Sequence, residues 1–198
     1  MLIVFLRWIV FAVSLSILLV YFKGGASIVQ DIRRSVRTTG SYVSTLLILS
    51  MTLLGGVVLI TQLLVCLGYW EVYAWAKVEW VACVGASLAI FGNLASYYCR
   101  YRYLKRFWKG NVELQPEHEI VDRGPYRVVR HPLYALATWM FLGVALLFAT
   151  WWVLLCCLLT IIGYVLLAGY EDKFLSAKLT GYRAYQQRVR YRLLPGVW

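Results

Sequence analysis

Three stretches of the chain contain no Asp, Glu, Lys, Arg or His: 42–70, 80–98 and 132–170. A soluble amphipathic helix needs a polar face, and none of these stretches offers one. A helix that crosses a bilayer needs about 20 largely apolar residues, because the hydrocarbon core is roughly 30 Å thick and a helix rises about 1.5 Å per residue. The stretch 132–170 is long enough for two passes. Residues 1–22 are also apolar apart from Arg7 and scattered serines. Five spans follow, at about 2–22, 43–69, 76–98, 132–150 and 152–170. The expected fold class is an all-α integral membrane protein.

The formal net charge is +11, and clustered Lys and Arg can draw nucleic acid. Their placement points to a membrane instead, with no nucleic-acid partner. The basic residues gather in 23–37 (Lys23, Arg33, Arg34, Arg37), in 100–130 and in 173–192. With five spans all three segments fall on one side, which is the positive-inside pattern for an outside N-terminus and a cytoplasmic C-terminus. The opposite connections hold only Glu71, Lys77 and Glu79, beside an aromatic belt of Trp70, Trp75, Trp80, Trp151 and Trp152. The first apolar stretch ends in Gly24-Gly25-Ala26-Ser27, which would suit signal-peptide cleavage. Its length and the following Lys23 favour an uncleaved span. Cys66, Cys83, Cys99, Cys156 and Cys157 lie in or beside spans without any metal-ligand spacing, so they read as small apolar filler rather than as disulfides or a metal site.

Composition divides the chain in two. Residues 1–98 read as a scaffold of three spans, while 99–198 hold both histidines, all four prolines and most of the charge. Beyond the hairpin of spans four and five, Phe174, Leu175, Leu179, Tyr182, Tyr185 and Val189 recur at helical spacing. They predict a cytoplasmic C-terminal amphipathic helix, lying against the membrane surface or against the loop before span four.

Three elements should meet at the cytoplasmic end of the hairpin: the loop His118–Tyr126, the turn Arg130-His131-Pro132-Leu133-Tyr134, and Tyr170-Glu171-Asp172. Ionisable groups near membrane depth are costly and usually functional. Taken singly, Arg130 and His131 read equally well as topology anchors, and the acids as an exposed helix end. At the C-terminal end of a span, however, the helix dipole disfavours Glu171 and Asp172 unless they face a cation.

Arg130-His131-Pro132-x-Tyr134, preceded by Gly124-x-Tyr126 and followed by Glu171-Asp172 and Tyr182-x-x-Tyr185, resembles the isoprenylcysteine carboxyl methyltransferase family and the related membrane phospholipid methyltransferases. The resemblance covers 99–198. It implies an S-adenosylmethionine-dependent methyl transfer within the membrane, onto a lipophilic or prenylated acceptor. Carried over by position, it implicates His118, Glu119, Ile120, Val121, Tyr126, His131, Pro132, Tyr134 and Glu171 in holding the cofactor. It makes Arg130 and Glu171 the catalytic candidates, with Arg130 nearest the acceptor. The family often shows two glutamates in place of Glu171-Asp172 and Phe-Gly in place of Lys178-Leu179. Its prenylcysteine-binding arginine falls here on Leu167, which removes the partner of a prenylcysteine carboxylate.

The residue chemistry suits that cofactor. Glu171 can hold its cationic end, Arg130 or Arg127 its carboxylate, and Tyr126 or Tyr134 its adenine or sulfonium. In-line displacement on carbon gains mainly from proximity and alignment. If the acceptor needed a base, Glu171 or His131 would be the candidates. The closing Tyr191-Arg192-Leu193-Leu194-Pro195-Gly196 is similar to the ends of membrane sterol reductases, which use NADPH and form the alternative enzymatic reading. A non-enzymatic scaffold or transporter component is a further alternative, disfavoured because spans two to five carry no charge at mid-depth.

Overall fold

The computed structural model describes residues 1–23, 42–104 and 119–198. His118 and the basic residues of 24–41 and 105–118 lie outside the described residues. Six helices account for most of the rest: α1 (Leu2–Lys23), α2 (Tyr42–Cys66), α3 (Glu79–Cys99), α4 (Pro132–Leu147), α5 (Trp151–Lys178) and α6 (Tyr182–Arg188). A π-helical turn, Arg100–Leu104, extends α3, and single 3-10 turns occupy Ala74–Lys77 and Gly124–Arg127. Among the described residues there is no strand, only an isolated parallel bridge between Val129 and Tyr191.

Among the described residues, three segments are long and apolar enough to cross a membrane: Val43–Cys66, Glu79–Leu104 and Trp151–Lys178. The apolar helix Pro132–Leu147 is shorter. The hairpin expected as two equal spans is therefore asymmetric. With 16 residues, α4 rises about 24 Å, because the chain leaves the helix at Phe148. Thr150 then caps α5, its hydroxyl accepting from the Val153 N–H at 3.3 Å. Conversely, α5 continues to Lys178 instead of ending near residue 170. The expectation that Glu171 and Asp172 close a helix is corrected by this. Two further turns follow them, and a dipole effect confined to the last turn does not reach them.

Helices α3 and α4 meet backbone to backbone. A Cβ added at Gly143 would sit 2.4 Å from the Ala89 nitrogen and 2.5 Å from the Gly85 oxygen, and one at Gly92 would sit 2.7 Å from the Leu136 oxygen. Gly85, Ala89 and Gly92 thus form a small-residue seam, which is how helices gain dispersion contacts where lipid supplies no hydrophobic drive. Helix α2 lies along α5, with Met51 over Gly163. Helix α1 contributes Val10 to the core of Val58, Ala86, Val144, Leu147 and Phe148. Its Arg7 donates to the carbonyls of Leu147 (3.2 Å) and Ala76 (3.3 Å), satisfying acceptors at the end of α4 and of a 3-10 turn. Outward-facing Leu46, Leu53, Ile60, Phe91, Leu158 and Leu166 are exposed, an apolar surface suited to lipid.

Candidate active site

The Arg130–Tyr134 turn is held from two directions. On one side, the Arg130 and His131 N–H groups donate to the carbonyls of Tyr191 and Arg192, each at 2.9 Å. On the other, Pro132 starts α4 at a position that needs no N–H donor, while the His131 carbonyl accepts from Tyr134 and Ala135. The side chains of Arg130 and His131 are thereby directed at α5.

There Asp172 forms a hub. Its side chain is 1% exposed. Oδ1 accepts from His131 Nε2 at 3.0 Å and from the Tyr182 hydroxyl at 2.8 Å. Oδ2 accepts from Arg130 Nη2 at 2.8 Å and from Arg192 Nε at 2.7 Å, while Arg130 Nε lies 3.2 Å from both oxygens. A carboxylate is tolerated at this burial only with such compensation. Arg130 Nη1 donates to the carbonyls of Val189 (2.7 Å) and Arg190 (2.8 Å). Four of its five N–H donors are thus used within the chain.

Glu171 is the next residue, about 100° round the helix, and its surroundings differ. Its side chain is 26% exposed. Oε2 accepts from the Tyr134 hydroxyl at 2.8 Å and lies 3.4 Å from His131 Nδ1. Both contacts fall on one oxygen, so Oε1 has no partner among the described residues. The His131 imidazole bridges the two acids. Burial alone would lower its pKa, but the hydrogen bonds and charges of Asp172 and Glu171 outweigh that and lift it to about 9. At neutral pH it is an imidazolium donating from both nitrogens. Its ring stacks on Tyr134 (5.6 Å, 9°), and Tyr134 stacks on Tyr164 of α5 (5.5 Å).

Tyr126 is buried, with its ring 6.5 Å from that of Tyr103 and its carbonyl accepting from the Tyr185 hydroxyl at 2.7 Å. Burial first, and the Glu171 charge second, push its hydroxyl pKa well above the usual value. The turn from α5 into α6 uses Gly181 at φ +84°, a left-handed conformation that glycine adopts at little cost. The chain reverses there, so that Tyr182 reaches back to Asp172. Burial and the Asp172 charge raise the pKa of the Tyr182 hydroxyl and keep it a donor.

The structure therefore brings Arg130, His131, Tyr134, Glu171 and Asp172 together, with Tyr126 nearby and Pro132 opening α4. Ile120 instead packs with Tyr182, Tyr185 and Val189 on the inner face of α6. Glu119 is exposed, Val121 is half-buried, and His118 lies outside the described residues. Arg123 and Arg127 are exposed. The hub role of Asp172, the Tyr182 hydroxyl and the approach of Arg192 were not anticipated from sequence. The one signal for the last was a charged residue inside an otherwise apolar closing segment.

Residues 80–180, from the start of α3 to just beyond α5, match a family model described as phospholipid methyltransferase. No curated protein matches the chain.

Proposed function

Because this chain belongs to the phospholipid methyltransferase family, a family of membrane methyltransferases, we propose that it moves a methyl group from S-adenosylmethionine to a lipophilic acceptor at the cytoplasmic edge of the bilayer. The observation that carries this reading is Glu171: a half-exposed carboxylate with one uncommitted oxygen, beside stacked aromatic rings. Bound there, the cofactor supplies an electrophilic methyl group on a sulfonium. A carboxylate and an electron-rich ring face are the groups that hold such a cation. Glu171 takes the cationic end, and Tyr134 fixes the carboxylate by its 2.8 Å hydrogen bond while presenting its ring. Tyr126, His131 and Pro132 complete that wall. Arg130 is so fully engaged by Asp172 that it acts chiefly by fixing the turn, leaving a single N–H for the acceptor. The cofactor carboxylate then falls to the exposed Arg127.

Catalysis by this arrangement is positional. The residues align two reactants and keep water from the electrophile, and such alignment accounts for much of the barrier reduction in displacement on carbon. Apolar surface on α5 offers a lipid-like acceptor access from the bilayer. The test is a thermal shift in detergent with S-adenosylmethionine, S-adenosylhomocysteine and NADPH in separate arms. A ligand at a hundred times its dissociation constant stabilises by about 2.7 kcal/mol, so either methyl-series compound should raise the midpoint. A shift with NADPH alone would replace this reading with the reductase one. Labelling of single cysteines placed in 119–128 tests the topology, and access only from the outside would overturn the cytoplasmic assignment.

A further inference from the structure

The family match ends at residue 180, yet several of the bonds that build the site come from beyond it. Residues 189–198 form a strap. The Val129–Tyr191 bridge and the Arg130 and His131 N–H bonds lay it alongside the Arg130–Tyr134 turn. The strap is closed on itself, because the N–H groups of Arg192, Leu193 and Leu194 all converge on the Trp198 carbonyl. That closure places the Trp198 ring under the Arg192 guanidinium, 4.6 Å from its centroid, while Arg192 Nε donates to Asp172 Oδ2 at 2.7 Å.

We infer that Arg192, seated on Trp198, is a further positioning residue of the methyl-transfer site, setting the His131 imidazole against Glu171 by locking the Asp172 carboxylate. This rests on the function proposed above. Asp172 has a rotatable carboxylate, and its two oxygens serve different partners. With Arg130 and Arg192 both on Oδ2, Oδ1 is left directed at His131 Nε2 and the Tyr182 hydroxyl. His131 is then held at Nε2, and its Nδ1 points to Glu171 Oε2. The hydrogen bond and ring contact of Arg192 go to Asp172 and Trp198, so its influence on Glu171 and Tyr134 runs through Asp172 and His131. A planar guanidinium suits the role, since one edge donates while the face stacks. A lysine would supply the charge without the stack.

The experiment measures S-adenosylhomocysteine affinity by titration calorimetry, together with the His131 ring-nitrogen signals by NMR, on the full chain in detergent. The chain has only two histidines, so the signals that disappear in His131→Gln identify those of His131 while His118 stays in place. The variants are Arg192→Gln, Arg192→Lys and Trp198→Leu. The groups facing His131 are Asp172 and Glu171 of α5 and Tyr134 of α4, with Arg130, Tyr182 and Arg192 gathered on Asp172. Removing one cation from that set leaves the acids less compensated, so His131 should hold its proton to higher pH. Arg192→Gln is expected to weaken the ligand about tenfold, the scale of one charge-assisted hydrogen bond, and to move the His131 titration upward. Trp198→Leu and Arg192→Lys should each give a smaller loss, with the titration nearer the parent's. If Arg192→Gln fails to fold, the two milder variants carry the test. Parent-like affinity and an unmoved His131 titration in the folded variants would overturn the inference. A parent protein that binds neither S-adenosylhomocysteine nor S-adenosylmethionine would overturn the proposed function instead.

Discussion

Asp172→Asn and Glu171→Gln are the same chemical change at adjacent residues, and the structure assigns them opposite consequences. Asp172 accepts on both oxygens, from Arg130 and Arg192 at Oδ2 and from His131 and Tyr182 at Oδ1. An asparagine has one acceptor oxygen, so in either orientation its NH2 group faces donors. The change also strips the counter-charge from Arg130, whose side chain is only 7% exposed. Removing one partner from a buried ion pair typically costs about 3–5 kcal/mol, and we expect Asp172→Asn to lose that much folding stability. Out of a total stability of roughly 5–15 kcal/mol this is a large fraction. Glu171→Gln should behave differently. Its side chain is 26% exposed, and the amide oxygen still accepts from Tyr134. Stability should fall by less than about 1 kcal/mol, while affinity for S-adenosylmethionine should fall about ten- to a hundredfold with the loss of a charge-assisted contact. Thermal midpoints and titration calorimetry on both variants in one detergent separate the two effects. A parent-like midpoint for Asp172→Asn, or a larger stability loss in Glu171→Gln, would refute the assignment of the buried structural acid and the open binding acid.

The raised pKa of His131 has a stability consequence of definite sign. A group whose pKa rises on folding, here from 6.5 to about 9, adds stability in full below about pH 6.5 and loses it as pH climbs through about 9, a change of about 3 kcal/mol. Denaturation midpoints should therefore drop between neutral and alkaline pH in the parent and much less in His131→Gln, and equal slopes would refute the bridging imidazolium. At the α3–α4 seam, Gly143→Ala forces a Cβ into the Ala89 and Gly85 backbone and should cost about 1–3 kcal/mol. Gly55→Ala, with nothing within 4 Å, should be neutral or stabilising by up to about 1 kcal/mol. The same sign for both in a thermal denaturation series would show that the seam is not closely packed.

Much of this protein is written in one dimension. Charge-free stretches specify apolar helices because their few polar side chains form no face that could meet water, and residues 42–70, 80–98 and 132–170 indeed became α2, α3, α4 and α5. The Arg-His-Pro turn and the acidic pair were identifiable as one site because a helical hairpin must bring its two ends to the same depth. Sequence did not separate Glu171 from Asp172, since neighbouring acids differ only in helical phase. Phase acquires meaning only once α4, α6 and the 189–198 strap have packed on one side of α5. Nor did it show that α5 continues for two turns past the acids. An apolar-to-polar boundary marks where lipid ends, whereas a helix ends where its hydrogen bonds do, here at Lys178 with Leu179 as its cap. The reach of Tyr182 and Arg192 to Asp172 was likewise hidden, because it depends on a chain reversal and a cation stacked on Trp198. A lone arginine in an apolar segment has no visible partner until tertiary structure supplies a buried carboxylate that needs one.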